Sequence, residues 1–251
     1  TVLWGTSQQM AQLLKLRGVR FDLSKLTVIG AGSSSYVSIA RSDFPPGLKR
    51  AGDLLKVKKM IVGGRGTTDG LGLWQPKMNA AIRAKEIGLL STGSTGYFAF
   101  YENTILKSGE GTALYYHSTL TPDGKFSNPG VFPPGLKHFS EYYKETHGGK
   151  SPSGPLWEAY KWRSRYNSRP FGMYALKAVD PARIADLRGA FRKNLTDPDF
   201  LAGWRKAQKT DPNFGVGEEV DWLLKEFNNI SPAALAGLKK LTASKKKMKK
   251  K

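Results

Sequence analysis

Apolar residues recur at helical spacing early in the chain, at Met10, Leu13, Leu14 and Leu16, and Gly18 follows. That pattern predicts a helix over 6–16 with a glycine stop. Residues 21–25 read as a turn. Leu26-Thr27-Val28-Ile29-Gly30 and Tyr36-Val37-Ser38-Ile39-Ala40 are rich in β-branched residues and predict two strands. Between them, residues 31–35 form a loop of small hydroxylated residues. A short helix is predicted over 48–57, a strand over 59–63 and a helix over 71–83. The last two are joined by Gly64-Arg65-Gly66-Thr67-Thr68-Asp69-Gly70. Residues 87–90 predict a short strand leading into Ser91-Thr92-Gly93-Ser94-Thr95-Gly96, a second small hydroxylated loop. Another strand is predicted over 111–116.

Residues 117–155 carry six prolines and read as loops. A helix over 157–166 and a strand over 170–176 follow. The pattern is clearest at the C-terminal end. Asp180-Pro181 opens a helix with the stripe Ile184, Leu187, Phe191 and Leu195: the aspartate accepts from unpaired backbone N–H groups, and the proline has none to leave unpaired. Thr196-Asp197-Pro198 opens the next helix in the same way, up to about 208. A third is predicted over 217–227, and Ser231-Pro232 opens a fourth ending near 241. Alternating strands and helices predict an α/β architecture with a helical C-terminal section.

Composition narrows the chemistry. The 251 residues contain no cysteine, which removes disulfides, iron–sulfur clusters, zinc–thiolate sites and cysteine nucleophiles. The three histidines, His117, His138 and His147, show no metal-ligand spacing, and no Gly-x-Ser-x-Gly elbow is present. No enzyme activity, metal or cofactor is therefore expected. No apolar run is long enough to span a bilayer. The net charge is +20, and eight lysines without an acid fall between Lys239 and Lys251. Such a surface favours anionic partners. The tail reads either as a disordered, solvated run or as an interaction tail, with Lys245, Lys246, Lys247, Lys249, Lys250 and Lys251 meeting an anionic surface. The mixed run Tyr160-Lys161-Trp162-Arg163-Ser164-Arg165-Tyr166 reads as an amphipathic helix or as a stacking platform for nucleic acid, the latter the less supported.

Three glycine- and hydroxyl-rich loops follow apolar stretches: 31–35, 64–70 and 91–96. The middle one lacks the Gly-Lys-Ser/Thr of a nucleotide-phosphate loop and the Gly-x-Gly-x-x-Gly spacing of a dinucleotide loop. Each loop reads equally as a tight turn or as part of an anion site. Together they outline one ligand cleft at strand ends.

The C-terminal segments carry a resemblance. Asp180-Pro181-Ala182-Arg183-Ile184 with Leu187-Arg188-Gly189-Ala190-Phe191, then Thr196-Asp197-Pro198-Asp199-Phe200, Gly217-Glu218-Glu219-Val220 and Ile230-Ser231-Pro232-Ala233, resemble in order and spacing the receptors of tripartite tricarboxylate transporters. Phe21-Asp22 through Ile29-Gly30, Val62-Gly63-Gly64 with Gly66-Thr67-Thr68, and residues 152–160 extend the similarity. The resemblance implies a type II periplasmic-binding architecture: two lobes, 1–41 with 167–241 and 42–166, hinged near 39–43 and 166–170, with a lysine-rich tail over 242–251. It implies a periplasmic bacterial solute-binding protein that closes on a small carboxylate and feeds membrane transporter subunits. Ser33, Ser34 and Ser35 would hold the ligand from one lobe, and Gly66, Thr67, Thr68, Ser91 and Thr92 from the other. The family begins with a signal peptide, then a strand and glycine-rich loop, whereas this chain starts in mid-pattern; a preceding strand–loop–helix is expected. Residues 83–87 also join directly where the family has a further strand and loop. The rival reading is a binding-protein fold recruited as a non-catalytic structural or accessory subunit of a larger assembly. A basic nucleic-acid-binding protein comes third.

Overall fold

The computed structural model describes residues 2–5, 12–15, 19–32, 35–63, 80, 82–86, 88–121, 123–167 and 171–248. Two antiparallel sheets organise them. The first joins β1 (Val2–Gly5), β6 (Phe171–Leu176), β2 (Leu26–Gly32) and β7 (Phe214–Val216), in the order β1-β6-β2-β7. The second has β3 (Tyr36–Arg41) between β4 (Leu89–Gly93) and β5 (Gly111–His117).

β2 reads as an unbroken apolar run because both its faces are covered. On one side Leu26, Val28 and Ala31 pack with Ala159 and Trp162 of α3 (Pro155–Asn167), Val220 of α6 (Glu218–Asn228) and Ala234 and Leu238 of α7 (Pro232–Met248). On the other, Ile29 and Ala175 meet Ile184, Leu187 and Phe191 of α4 (Pro181–Thr196). The capping read from sequence holds: the Asp180 carboxylate accepts from the Ala182 N–H at 2.8 Å. Asp197 does the same for Phe200 at the start of α5 (Pro198–Gln208), also at 2.8 Å.

α3 and α7 cross closely because α7 carries a glycine at the contact. A Cβ on Gly237 would run into the Pro155 carbonyl oxygen and lie 2.9 Å from the Ala159 methyl. The second sheet is also covered twice. Val37, Ile39 and Leu90 face Ile82, Tyr97, Tyr101 and Ile105. Ala40 and Leu114 face Leu48 and Ala51, with Tyr115 and Tyr142 at the margin.

Several expectations are corrected. Residues 59–63 form no strand; Val62 makes a single parallel bridge to Leu89, and Ile61 and Val62 stay 51% and 59% exposed. The hydroxylated run at 91–96 is not a loop. Ser91–Gly93 lies in β4, and Ser94–Gly96 opens a helix, α1, that widens into π-helical turns over Tyr97–Leu106. Tyr97, Tyr101 and Ile105 bury one stripe of it, and that tertiary burial outweighs the poor helix propensity of Ser-Thr-Gly. A helix α2 (Phe139–Thr146) interrupts the proline-rich middle. The tail read as disordered continues α7 to Met248, so Lys245, Lys246 and Lys247 are helical. β3, grouped by the sequence reading with the first lobe, is the central strand of the second sheet. Most of the helix expected over 71–83 lies outside the described residues; 80, 82 and 83 are helical. Among the described residues no helix is long and apolar enough to cross a membrane.

Candidate functional site

The two sheets meet where β2 hands the chain to β3. The last row of the first sheet is Phe171, Gly32 and Phe214. The first row of the second is Gly93, Tyr36 and His117. Four residue steps separate Gly32 from Tyr36, so the rows lie within about 14 Å of each other. Gly32 is required at its row because a Cβ there would strike the Phe214 ring, 2.8 Å from Cδ1. The Ser94 N–H, at the start of α1, donates to the Ser35 carbonyl at 3.2 Å. The start of α1 also touches α5, which belongs to the first sheet's side. The N-terminal end of a thirteen-residue helix therefore opens onto the crossing, with its positive dipole end towards it.

The expected ligand residues separate into three groups. Ser33, Ser34, Gly66, Thr67 and Thr68 lie outside the described residues, as do Lys249, Lys250 and Lys251. Ser35 is half-buried at the crossing. Ser91 and Thr92 are split by strand alternation. Ser91 pairs with Ser38 and shares its face, and is exposed. Thr92 pairs with Val37, points to the opposite face and is 1% exposed; its hydroxyl donates to the Gly93 carbonyl at 3.3 Å.

Sequence reasoning passed over the most connected polar group near this junction. His117 ends β5, and His138 precedes α2 and caps it, its Nδ1 accepting from the Ser140 N–H at 3.1 Å. The Tyr160 hydroxyl of α3 lies 2.9 Å from His117 Nδ1 and 3.1 Å from His138 Nε2. Burial, with Arg163 adding repulsion, depresses His117 to about 4. Burial and then His117 depress His138 to about 3. Burial raises the Tyr160 phenol. The alternation of strand 111–116, carried one residue further, puts Tyr115 and His117 on one face and was the one sequence signal for this group. Among the described residues no cluster of three or more His, Asp or Glu could hold a metal ion.

A separate cavity of about 500 Å³ lies at the opposite end of β2, lined among others by Thr27, Lys177, Ile184, Arg188, Arg192 and Glu218. It touches neither sheet row at the junction.

No protein-family model matches the sequence, and no curated protein is similar to it at a significant level. Solved structures are similar in fold. The periplasmic binding protein BugD superposes with a TM-score of 0.59 at 16% identity, over 95% of this chain and 77% of its own. A TctC solute-binding protein from Polaromonas gives 0.54 at 12% identity, with the same shares of 95% and 77%. MatC from Rhodopseudomonas palustris, solved with bound malate, gives 0.52 at 14% identity, over 93% of this chain and 79% of its own. The chain has the periplasmic-binding-protein fold.

Proposed function

We propose that this chain is a solute-binding protein for a small carboxylate, of the tripartite tricarboxylate receptor type. The observation that carries this reading is the junction itself: Ser35 and the N-terminal end of α1 meet where the two sheets exchange the chain. Backbone N–H groups and hydroxyls hold a carboxylate through charge-assisted hydrogen bonds, each contributing about 1.5–3 kcal/mol, without a fixed cation. The fold supports the choice of ligand class, since its solved examples include one with malate and one with adipate. Two lobes, one around each sheet, close on the ligand and open to release it; the first crossing between them falls at 33–35. Ser33, Ser34, Gly66, Thr67, Thr68 and Ser91 complete the donor set. The protein acts in the periplasm, by reversible binding and not by turnover, and delivers its ligand to membrane transporter subunits.

A thermal-shift screen of di- and tricarboxylates tests this. A ligand at about 100 times its dissociation constant adds roughly 2.7 kcal/mol of apparent stability and raises the melting temperature. Thr67→Val with Thr68→Val removes the shift while the unliganded melting temperature stays put. No shift with any carboxylate sinks the reading.

The recruited-subunit reading draws on one observation, the continuation of α7 through Lys245, Lys246 and Lys247. Retention on an anionic surface, and no carboxylate response, would favour it.

A further inference from the structure

Helix α3 belongs to two neighbourhoods at once. Ala159 and Trp162 are buried in the first sheet's core. Tyr160, between them in sequence, stacks on Trp157 and reaches His117 and His138 on the side of the second sheet.

The direction of every hydrogen bond in this group follows from one backbone amide. The Ser140 N–H can only donate, so His138 Nδ1 carries no proton and neutral His138 holds its proton on Nε2. That N–H donates to the Tyr160 oxygen. The Tyr160 hydroxyl then donates to His117 Nδ1, which leaves the His117 proton on Nε2, 3.4 Å from the Ser38 hydroxyl.

We propose that Tyr160 is a positioning residue of the binding cleft: its hydroxyl ties α3, and through it the first sheet's core, to the His117 end of β5, and the tie holds only while His117 is neutral. The proposal rests on the binding-protein reading above. A proton added to His117 Nδ1 takes away the acceptor of the Tyr160 O–H and turns that bond round. A proton added to His138 Nδ1 displaces the Ser140 N–H and turns to the Ser140 hydroxyl, 2.8 Å away. The first reverses the Tyr160–His117 bond; the second undoes the cap of α2. Arg163 on α3 repels a proton on His117. Glu141 on α2 turns its carboxylate to the His138 backbone N–H, 2.8 Å away. Tyr115 and Tyr116 on β5 are held neutral by burial. His117 shares its row with Tyr36 and Gly93, so loosening it loosens the wall from which α1 starts.

The test has a ligand-free arm and a malate arm. Imidazole ¹⁵N NMR on the native protein is expected to find His117 and His138 as neutral Nε2–H tautomers at pH 7, both titrating below pH 5. Small-angle scattering is expected to show an expansion of the native protein between pH 7 and pH 3.5, as His117 takes up its proton. Tyr160→Phe is expanded already at pH 7 and responds little further. His117→Asn keeps an acceptor near the Nδ1 position but takes up no proton; it stays compact at pH 7, expands less in acid, and serves if Tyr160→Phe fails to fold. Either histidine titrating near 6.5, or variants that scatter like the native protein at every pH, overturns the tie. In calorimetry at pH 7, Tyr160→Phe is expected to bind malate roughly tenfold more weakly than the native protein. Malate titrates in the same range, so the native-to-variant ratio is read at each pH and shrinks as pH falls towards 4. Equal malate affinity in both proteins overturns the positioning role. A native protein that binds no carboxylate removes the reading underneath, and the ligand-free arm still decides the tie.

Discussion

The Arg188 guanidinium closes on the Val28 carbonyl oxygen with two donors, at 3.1 Å from Nε and 2.7 Å from Nη2. Val28 sits where β2 slips its register against β6, between Val28 and Gly30, so its carbonyl is turned out of the ladder. The neighbouring Ile29 carbonyl is taken by the Gly217 N–H at 2.9 Å. Gly217 has φ +60°, and a Cβ there would sit 2.9 Å from the Arg188 side chain. Arg188 also reaches Thr27 and Asp221. The Leu187-Arg188 and Gly217-Glu218 segments, separate in the sequence, are two halves of one clamp on a bulged strand.

Arg188→Met is expected to destabilise the protein by about 2–3 kcal/mol, because a charge-assisted bond is lost and the carbonyl of the buried Val28 is left unpaired. Arg188→Lys recovers less than half, since a single ammonium cannot span Val28 and Asp221 as a planar fork does. Urea denaturation of the two variants checks both figures. A loss under about 0.5 kcal/mol for Arg188→Met would show the clamp to be incidental.

Two glycine substitutions should move stability in opposite directions. Gly237→Ala forces α7 off Pro155 and Ala159 and is expected to lose about 1–3 kcal/mol by overpacking. Gly189→Ala, inside α4 with nothing within 4 Å of its new methyl, is expected to gain roughly 0.5–1 kcal/mol. Thermal melting of the pair tests the sign of each.

Stability is expected to fall on the acid side of neutrality. His117 and His138 are depressed from 6.5 to about 4 and about 3 in the folded protein. Between those values and 6.5 the unfolded chain binds more protons, so their contribution is complete above pH 6.5 and is lost as pH falls towards 4 and 3. Each histidine weakens folding by up to about 1.4 kcal/mol per pH unit in that window. Denaturant titrations at pH 7.5, 6 and 5 in native and Tyr160→Phe proteins measure it; a native curve flat from 7.5 to 5 contradicts the assignment.

Deleting residues 245–251 is expected to weaken binding to an anionic surface, with the difference largest at low salt. Exposed charges are screened over about 8–10 Å near physiological ionic strength. Retention of the full and shortened chains on vesicles containing anionic lipid, at low and at high salt, decides whether this tail is the anchor.

What the sequence disclosed is what local chemistry controls. Asp180 and Asp197 could be read as caps because a cap is a bond between residues two or three apart. The strands at Leu26 and Tyr36 could be read because their β-branched runs are buried on both faces. Helix α1 could not be read, since its stability comes from Tyr97, Tyr101 and Ile105 meeting Val37 and Leu90, contacts that no window contains. Ser91 and Thr92 looked like one pair; strand alternation sends them to opposite faces. The histidine pair was missed for the same reason. His117 and His138 meet through Tyr160, 43 and 22 residues away along the chain, and no spacing rule anticipates that.

The strand order also sets a timetable for assembly. All three strands of the second sheet come from one continuous stretch, Tyr36 to His117. The first sheet needs Val2 beside Ala175 and Gly30 beside Val216, so its pairing waits for nearly the whole chain to be made. Closing those long loops is the slow, entropically opposed step. The second sheet therefore forms early, on the ribosome or in refolding, and β1 and β2 stay unpaired until β6 arrives. During that interval Leu26, Val28 and Ile29 present a bare apolar strand, which makes this short segment the place where newly made chains are most exposed to aggregation and to chaperone capture.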